Sequence, residues 1–290
     1  MGETDTSFSD LLKAGLQYPL PQHAITRAVH WLTRVETPAV KNWLIRRFIQ
    51  RFDVDMSEAV QSDSYTYPCF NAFFTRGLRD DARPIASGTK AIACPVDGCI
   101  SQIGEINQGH IFQAKGRTFS VVELLAGNTA LANTFASGEF ATLYLSPRDY
   151  HRIHMPLDGS LRHMLYVPGR LFSVNPPTTR AVPNLFARNE RVAAIFDTAA
   201  GPMGVVMVGA LNVGSIETVW AGEITPPRRN QARAWKYQDT EVTLKKGAEL
   251  GRFNMGSTVI LLFGRDRVRW EAVLETDAIV RMGQVIGSLV

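Results

Sequence analysis

Two histidines three residues apart stand in a polar stretch between apolar runs. They are His151 and His154, preceded by Arg148 and Asp149. On a helix, this spacing would place both rings on one face, where they could bind zinc with His163 or an acidic residue as third ligand. Alternatively, one neutral histidine acts as a general base while a neighbour contacts an anion. A structural role in turn hydrogen bonds is the third interpretation, and the residues alone leave all three open.

A second candidate is a glycine followed by two hydroxyl residues. Gly256, Ser257 and Thr258 interrupt an apolar run that ends at Phe263. Glycine permits backbone geometry that other residues resist, and a hydroxyl directly after it could attack the preceding carbonyl carbon. A β-bulge with a satisfied hydroxyl explains the same spacing, and spacing alone favours the bulge.

Two further segments hold weaker candidates. Asp97 precedes Gly98 between two cysteines, and an Asp-Gly pair is typical of a turn. Ser173 lies in an arginine-rich stretch whose charges could contact phosphate or carboxylate, or could simply be solvated. The arginines of that stretch are Arg170, Arg188 and Arg191.

Composition excludes several classes of protein. The chain has 290 residues, 45% hydrophobic and 20% charged, which is ordinary for a globular protein and excludes disorder and fibrous repeats. Three cysteines are too few for a disulfide framework and favour a reducing compartment. The net charge of +4 points weakly to an anionic surface or substrate. Phosphate-loop, dinucleotide, zinc-knuckle, serine-hydrolase and nucleic-acid motifs do not occur.

The N-terminal region is predicted to form a helical hairpin over residues 22–51. Apolar residues recur there at helical spacing, Pro38 stands where a second helix would begin, and Trp31 and Trp43 add aromatic anchors. Basic residues flank the apolar faces: Arg27, Arg34, Lys41, Arg46, Arg47 and Arg51. Such helices suit an anionic membrane interface, although the pattern alone slightly favours packing against the rest of the chain. The acidic N-terminus predicts no signal peptide, and we interpret Thr198–Ile216 as two buried strands.

The rest of the chain predicts a β-rich body. Short helical pieces are expected at 54–60, at 71–75 with Asn71 as cap, and at 121–125. From about residue 90, short apolar runs alternate with turn residues, as in an antiparallel sandwich or barrel. The expected strands are 100–106, 139–145, 161–167, 192–197, 204–208 and 215–221. We therefore predict an α+β fold, with a helical, membrane-associating region at 1–75 and a catalytic domain at 76–290.

Together these segments resemble the bacterial-type phosphatidylserine decarboxylases over nearly the whole chain. A small departure is Met255, where members of the family often have leucine. Six segments carry the resemblance: Pro95–Gly98, Tyr144–Pro156, Phe172–Asn175, Asn184–Arg191, Gly214–Gly222 and Met255–Thr258.

The resemblance implies a proenzyme that cuts itself between Gly256 and Ser257, giving a β chain, 1–256, and an α chain, 257–290. It assigns the cut to a triad of Asp97, His154 and Ser257. Ser257 would attack the Gly256 carbonyl to form an ester, and elimination and loss of ammonia would leave a pyruvoyl group. That group would form a Schiff base with the serine headgroup, so that carbon dioxide leaves without pyridoxal phosphate or a metal.

The same resemblance implies the remaining roles and partners. His151 is the candidate proton donor or carboxylate contact in decarboxylation, and Ser173 is a candidate substrate contact. The substrate would be phosphatidylserine in an anionic membrane, with phosphatidylethanolamine as product and no nucleic acid involved. The hairpin becomes a peripheral anchor on the cytoplasmic face of the cell membrane, and a homodimer of αβ units is expected.

Three rival functions remain. One is a zinc hydrolase that uses the three histidines named above. Another is a catalytically silent lipid-binding module that uses the basic hairpin. The third is a soluble pyruvoyl decarboxylase acting on a small amino acid, against which the hairpin argues.

Overall fold

The computed structural model describes residues 8–211, 215–226, 231–238, 241–255 and 258–290. Within these ranges the α-helices are α1 (Phe8–Gly15), α2 (Gln22–Leu32), α3 (Pro38–Phe52), α4 (Phe70–Phe74), α5 (Val121–Leu124), α6 (Thr129–Phe135), α7 (Pro176–Ala181) and α8 (Leu185–Arg188). The predicted hairpin is confirmed as α2 and α3. Proline begins α3 because its missing N–H is not needed in a first helical turn. Asp53 ends that helix in a left-handed conformation, with φ at 53°.

The strands follow from the apolar runs. In the described residues they are β1 (Ala91–Ala93), β2 (Gly98–Glu105), β3 (His110–Ala114), β4 (Arg117–Ser120), β5 (Glu139–Tyr144), β6 (Arg152–His154), β7 (Gly159–Val167), β8 (Arg191–Thr198), β9 (Gly201–Val208), β10 (Ile216–Thr218), β11 (Gly222–Glu223), β12 (Arg233–Lys236), β13 (Thr243–Leu244), β14 (Glu249–Phe253), β15 (Thr258–Phe263), β16 (Val268–Trp270), β17 (Ile279–Val280) and β18 (Val285–Leu289).

The largest sheet runs in the order β12-β7-β8-β9-β15-β5-β2-β17, with β13 also paired to β7. Neighbouring strands are antiparallel, and Thr258 lies opposite Tyr144 on one side and Val208 on the other. All six residues of β15 are buried, which explains its unbroken apolar run because both faces of the strand are covered. This sheet forms most of the hydrophobic core.

A second sheet has the order β11-β10-β14-β6. It contains β14, which ends at Phe253, whereas β15 begins at Thr258 in the large sheet. The interpretation of 256–258 as a bulge within one strand is therefore wrong. The chain passes from one sheet to the other between Phe253 and Thr258, and Gly256 and Ser257 themselves lie outside the described residues.

The helical hairpin packs on α4 through an aromatic cluster. Phe48 of α3 contacts the rings of Phe70, Phe73 and Phe74 at centroid distances between 5.2 and 6.1 Å, mostly edge to face. Met255 joins this cluster from the connection between the sheets. The hairpin therefore touches the residue that precedes Gly256.

The α+β fold class is confirmed, and the helix at 121–124 and the six expected strands are present with shifted ends. The expectation of two buried strands within 198–216 is wrong for the described residues, which form one strand inside that range, β9. The expected helix at 54–60 is wrong, because that segment forms turns and a single bridge between Ala59 and Leu78. Asn71 is not a cap: Cys69 occupies the N-cap position of α4. Across the described ranges, no helix has the length and apolar character needed to span a bilayer. The boundary between the regions 1–75 and 76–290 stays a prediction.

Candidate functional site

The proposed cleavage residues, Gly256 and Ser257, lie outside the described residues, but their neighbours on both sides are described. Met255 has a φ of 136°, a conformation that side chains with a Cβ avoid and that costs about 1–3 kcal/mol. Thr258 is fully buried, and its hydroxyl has no hydrogen-bond partner in the described part of the chain. The described chain thus has a strained backbone at Met255, just before 256–257, and a buried hydroxyl without a partner among the described residues at Thr258, just after it.

His154 is held at both ring nitrogens. Its Nδ1 lies 2.8 Å from the Gly247 carbonyl oxygen, and its Nε2 lies 3.0 Å from the Tyr150 hydroxyl. Burial lowers the pKa of His154 from its ordinary value of 6.5, so the ring is neutral at pH 7. A carbonyl only accepts, so Nδ1 carries the proton and Nε2 accepts from Tyr150. The basic nitrogen is therefore Nε2.

Asp97 is bound by an arginine rather than by His154. The Nε and Nη2 atoms of Arg83 lie 2.9 and 2.6 Å from its two carboxylate oxygens, and the Met282 amide donates to Oδ1 at 2.8 Å. Within the described residues, no hydrogen bond joins the Asp97 carboxylate to the His154 ring. The two residues are nevertheless neighbours, since the His154 amide donates to the Pro95 carbonyl at 2.8 Å.

The residue after Asp97 must be a glycine because a larger residue would clash with the neighbouring strand. A Cβ at Gly98 would lie 2.2 Å from the Tyr144 carbonyl oxygen, which is inside van der Waals contact. Gly98 lets β2 pass close to the end of β5, and this brings Asp97 beside a cavity of about 410 Å³ that Tyr150 also lines. The Asp-Gly pair is therefore part of a strand start that needs glycine.

His151 is completely buried and lies beside the strand that leads to Gly256. Its carbonyl oxygen accepts from the Phe253 amide at 3.0 Å, and its ring packs 4.1 Å from that of Phe74. Burial lowers its pKa to about 3, so the ring is neutral and Nδ1 donates to the Asp149 carbonyl at 2.7 Å. The other nitrogen, Nε2, has no hydrogen-bond partner among the described residues. It is an unused acceptor in an apolar setting.

The helix that the zinc interpretation requires does not form. Arg152, Ile153 and His154 make strand β6, and His163 lies on β7 and lines a different cavity. The described residues contain no group of three or more histidines, cysteines and acidic residues arranged to hold a metal ion.

Ser173 lines a cavity of about 260 Å³ that Tyr144, Asn175 and Met255 also line. The Ser173 amide donates to the Gln17 side-chain oxygen at 2.8 Å, so the segment that follows α1 helps to hold this loop. The structure therefore brings Ser173 to the same cavity as the residue before Gly256.

An apolar groove of about 700 Å³ lies against the hairpin. Its lining includes Val29 and Leu32 from α2, Leu44 and Phe48 from α3, and Met255. Because Met255 and Phe48 line both this groove and the Ser173 cavity, the two spaces adjoin at the residue that precedes Gly256.

Among the arginines, Arg191 is not available to an anion. It is 2% exposed and donates to four backbone carbonyls, which makes it a structural residue. Arg170 and Arg188 remain exposed beside the Phe172 ring.

Sequence reasoning missed Arg83 and Tyr150. The only sequence signal for Tyr150 is that it directly precedes His151. The residues next to Arg83 in the sequence give no signal that it contacts Asp97.

The chain is similar to known proteins over most of its length. A family model described as "Phosphatidylserine decarboxylase" matches residues 70–288, and a second, described as "PSD", matches 12–53. The chain is 61% identical to the phosphatidylserine decarboxylase proenzyme of Alkalilimnicola ehrlichii over 261 residues, covering 90% of this chain and 91% of the relative. It is 57% identical to the proenzyme of Azotobacter vinelandii, covering 94% and 96%. It is 54% identical to that of Methylococcus capsulatus, covering 96% of each.

These matches span both the helical hairpin and the β-rich body, with more than half of the aligned residues identical. The chain therefore belongs to the phosphatidylserine decarboxylase family of enzymes.

Proposed function

We propose that this chain is a proenzyme that cuts itself between Gly256 and Ser257 and then converts phosphatidylserine to phosphatidylethanolamine and carbon dioxide. Family membership supports the decarboxylation itself. The observation that carries the proposal is the position of Met255, which lines both the apolar groove and the Ser173 cavity. An acyl chain in the groove would place a polar headgroup next to the cleavage residues.

In the cleavage step, Ser257 is the nucleophile and His154 the base. The base must be neutral, and burial of His154 favours the neutral ring. The Gly247 carbonyl fixes its tautomer, so Nε2 is free to take a proton once Tyr150 gives way. Asp97 acts through its charge, which favours the protonated ring after the transfer. Its bond to Arg83 keeps that charge in place.

The residues around the cleavage segment fit a pyruvoyl group at position 257. Two buried polar atoms have no partner among the described residues: the hydroxyl of Thr258, the next residue in the chain, which can donate to a carbonyl, and Nε2 of His151, whose carbonyl accepts from Phe253. A pyruvoyl group supplies an electron-accepting ketone to which the substrate amine can bind. His151, neutral and enclosed, is the group that would exchange a proton with the substrate, and Ser173 would contact the headgroup.

The hairpin supports binding to a lipid surface. Its apolar groove suits an acyl chain, and Arg47 and Arg51 in the lining suit the lipid phosphate. Large apolar side chains of the N-terminal helices and their connections are exposed: Leu11, Leu12, Leu16, Leu20, Trp31 and Trp43. We place the enzyme peripherally on the cytoplasmic face of the cell membrane, as a homodimer of αβ units, following the family resemblance.

Intact mass spectrometry of freshly purified protein tests this function. Two chains split after Gly256, with the α chain lighter by one ammonia than a simple hydrolytic fragment, would support it. A Ser257→Ala chain provides the control, since it should stay whole. A wild-type chain that stays whole and unmodified would contradict the proposal and, if it still bound anionic vesicles, would favour the silent lipid-binding module. A stoichiometric metal in the purified protein would favour the zinc hydrolase.

Substrate choice separates the remaining rival. Carbon dioxide release is measured from phosphatidylserine in mixed micelles and from free serine at equal concentration. Release from the lipid alone is expected, because free serine cannot occupy the apolar groove. Equal or faster release from serine would favour the soluble decarboxylase.

A further inference from the structure

A polar network joins the helical hairpin to the residues just before Gly256. Glu223 of β11 accepts through Oε1 from Arg34, which follows α2, and from the Ser215 hydroxyl at 2.8 Å. The Asn254 amide group donates to the same oxygen at 3.3 Å. We call Arg34, Ser215, Glu223 and Asn254 the Glu223 network. It connects the hairpin to Asn254, the residue after β14, through two contacts, Arg34 to Glu223 and Glu223 to Asn254.

Asn254 makes hydrogen bonds through its backbone amide and through both polar atoms of its side chain. Its backbone amide donates to the Ser215 carbonyl at 2.9 Å, and its Oδ1 accepts from the Asn71 side chain at 3.0 Å. Asn71 is itself tied to the hairpin, because its backbone amide donates to the Thr33 carbonyl at 2.8 Å. Asn254 is 1% exposed. Displacing the hairpin would therefore break the bond from Arg34 to Glu223 and the bond from Asn71 to Thr33, and both Glu223 and Asn71 are partners of the Asn254 side chain.

Met255 follows Asn254 in a conformation that relaxes unless its neighbours hold it. Its φ of 136° is unfavourable for any residue with a Cβ, so packing and hydrogen bonds on either side must fix it. Its side chain lies in the aromatic cluster with Phe48 and Phe70, and the residue before it, Asn254, is held by hydrogen bonds. The hairpin thus contacts Met255 directly and is linked to Asn254 through Glu223 and Asn71.

We propose that the Glu223 network is a positioning device for self-cleavage: it makes correct seating of the hairpin a condition for presenting the Gly256 carbonyl to Ser257. This inference rests on the proposed cleavage. Arg34 and Glu223 act through Asn254 and do not touch the reacting atoms. A surface ion pair alone would contribute little here, since the Glu223 side chain is 40% exposed. The expected effect on cleavage therefore comes from the hydrogen bond between Glu223 and Asn254.

The test measures the first-order rate of cleavage of the full-length chain after a short pulse of cell-free synthesis. Glu223→Ala and Asn254→Ala should slow cleavage by about tenfold to a hundredfold, since small misplacements of reacting groups have effects of this size. Glu223→Gln keeps an oxygen acceptor for Ser215 and Asn254 and should stay within about threefold of wild type. The matched control is Asp81→Ala, which removes another exposed ion pair, to Arg79, on a loop remote in sequence from the network.

A second measurement separates positioning from folding. The same substitutions are placed in a Ser257→Ala background, where no chain is cut, and the thermal midpoint is recorded. Slow cleavage with an unchanged midpoint supports the proposal. If Glu223→Ala and Asn254→Ala cleave at the rate of Asp81→Ala, the proposal is overturned. It is also overturned if their slower cleavage is fully explained by a smaller fraction of folded protein. Failure of the wild-type chain to cleave would instead refute the proposed function on which the inference rests.

Discussion

The Tyr150 hydroxyl lies 3.0 Å from Nε2 of His154, the nitrogen that takes the Ser257 proton in the proposed cleavage. Burial raises the pKa of Tyr150 to about 12, so this hydroxyl stays protonated and donates to the ring. A donor on Nε2 stabilises the neutral histidine and aligns it, but it must move aside before the base can act. The two hydrogen bonds thus hold the His154 ring in one orientation, and burial keeps it uncharged.

Self-cleavage should therefore depend on pH through His154. The neutral ring is the active form, and its pKa lies below 6.5, so the rate should be flat from pH 7 to 8 and fall in acid. Tyr150→Phe removes a bond that favours the neutral form, so the acid fall should move to higher pH. It should also slow cleavage by about tenfold at pH 7.5, because the ring loses one of two restraints.

Rates of cleavage of newly made chain across pH 5.5 to 8 measure both effects for wild type and Tyr150→Phe. Tyr166→Phe is the matched control, since its hydroxyl also bonds one side chain, Glu190 at 2.7 Å. An acid fall that lies at the same pH in Tyr150→Phe and wild type would show that the hydroxyl does not tune His154.

His151→Ala should separate the two reactions. The His151 ring bonds only the Asp149 carbonyl among the described residues, so its loss should leave self-cleavage intact. Decarboxylation of the cut enzyme should fall by about a hundredfold or more, as expected for loss of a proton-transfer group. Gel analysis gives the cut fraction, and carbon dioxide release per cut chain gives activity. His110→Ala, at an exposed position on β3, should change neither quantity.

If His151→Ala blocked cleavage while remaining folded, His151 would belong to maturation instead. If the cut enzyme kept full activity, the unpartnered Nε2 would have no catalytic part. Its burial would then be a packing feature beside Phe74.

Much of the fold could be predicted because its signals are local. The hairpin follows from helical spacing of apolar residues, and β15 follows from its apolar run. The passage between sheets at 254–257 could not be predicted, since apolar residues stand on both sides and one strand explains them equally well. Only pairing of β14 with β10 and of β15 with β9 separates the two.

The candidate site divides in the same way. Asp97, His151 and His154 stand in recognisable motifs, whereas Arg83 and Asn254 act through partners distant along the chain. Arg83 meets Asp97 because the loop before β1 folds back over it, and nothing near Arg83 in the sequence indicates that. The family motifs identify Asp97, whereas its contact with Arg83 becomes visible only in the three-dimensional structure.

Arg83→Met should destabilise the uncut chain strongly. The Arg83 and Asp97 side chains are 6% and 10% exposed, so removing the cation leaves a buried carboxylate with only the Met282 amide. Breaking one side of such a pair costs about 3–5 kcal/mol. Urea unfolding of the Ser257→Ala chain measures the loss without interference from cleavage. Arg79→Met, which breaks the exposed pair with Asp81, should cost at most about 1 kcal/mol.

Arg83→Met and Arg79→Met with equal unfolding free energies would contradict this account of Asp97. The double variant Arg83→Met with Asp97→Asn is informative as well. It removes the uncompensated charge, so it should recover part of the lost stability.

Trp31→Ser together with Trp43→Ser should weaken binding to vesicles that contain phosphatidylserine. Both indoles are largely exposed, at 70% and 52%, and belong to the two hairpin helices, as membrane-interface side chains do. Losing both apolar contacts should reduce the partition coefficient by about tenfold or more. Sedimentation with vesicles measures it, and Val273→Ser, which removes a 79% exposed apolar side chain from the β-rich body, is the matched control. Equal losses in the double variant and the control would place the membrane contact elsewhere, and no loss in either would remove the hairpin as an anchor.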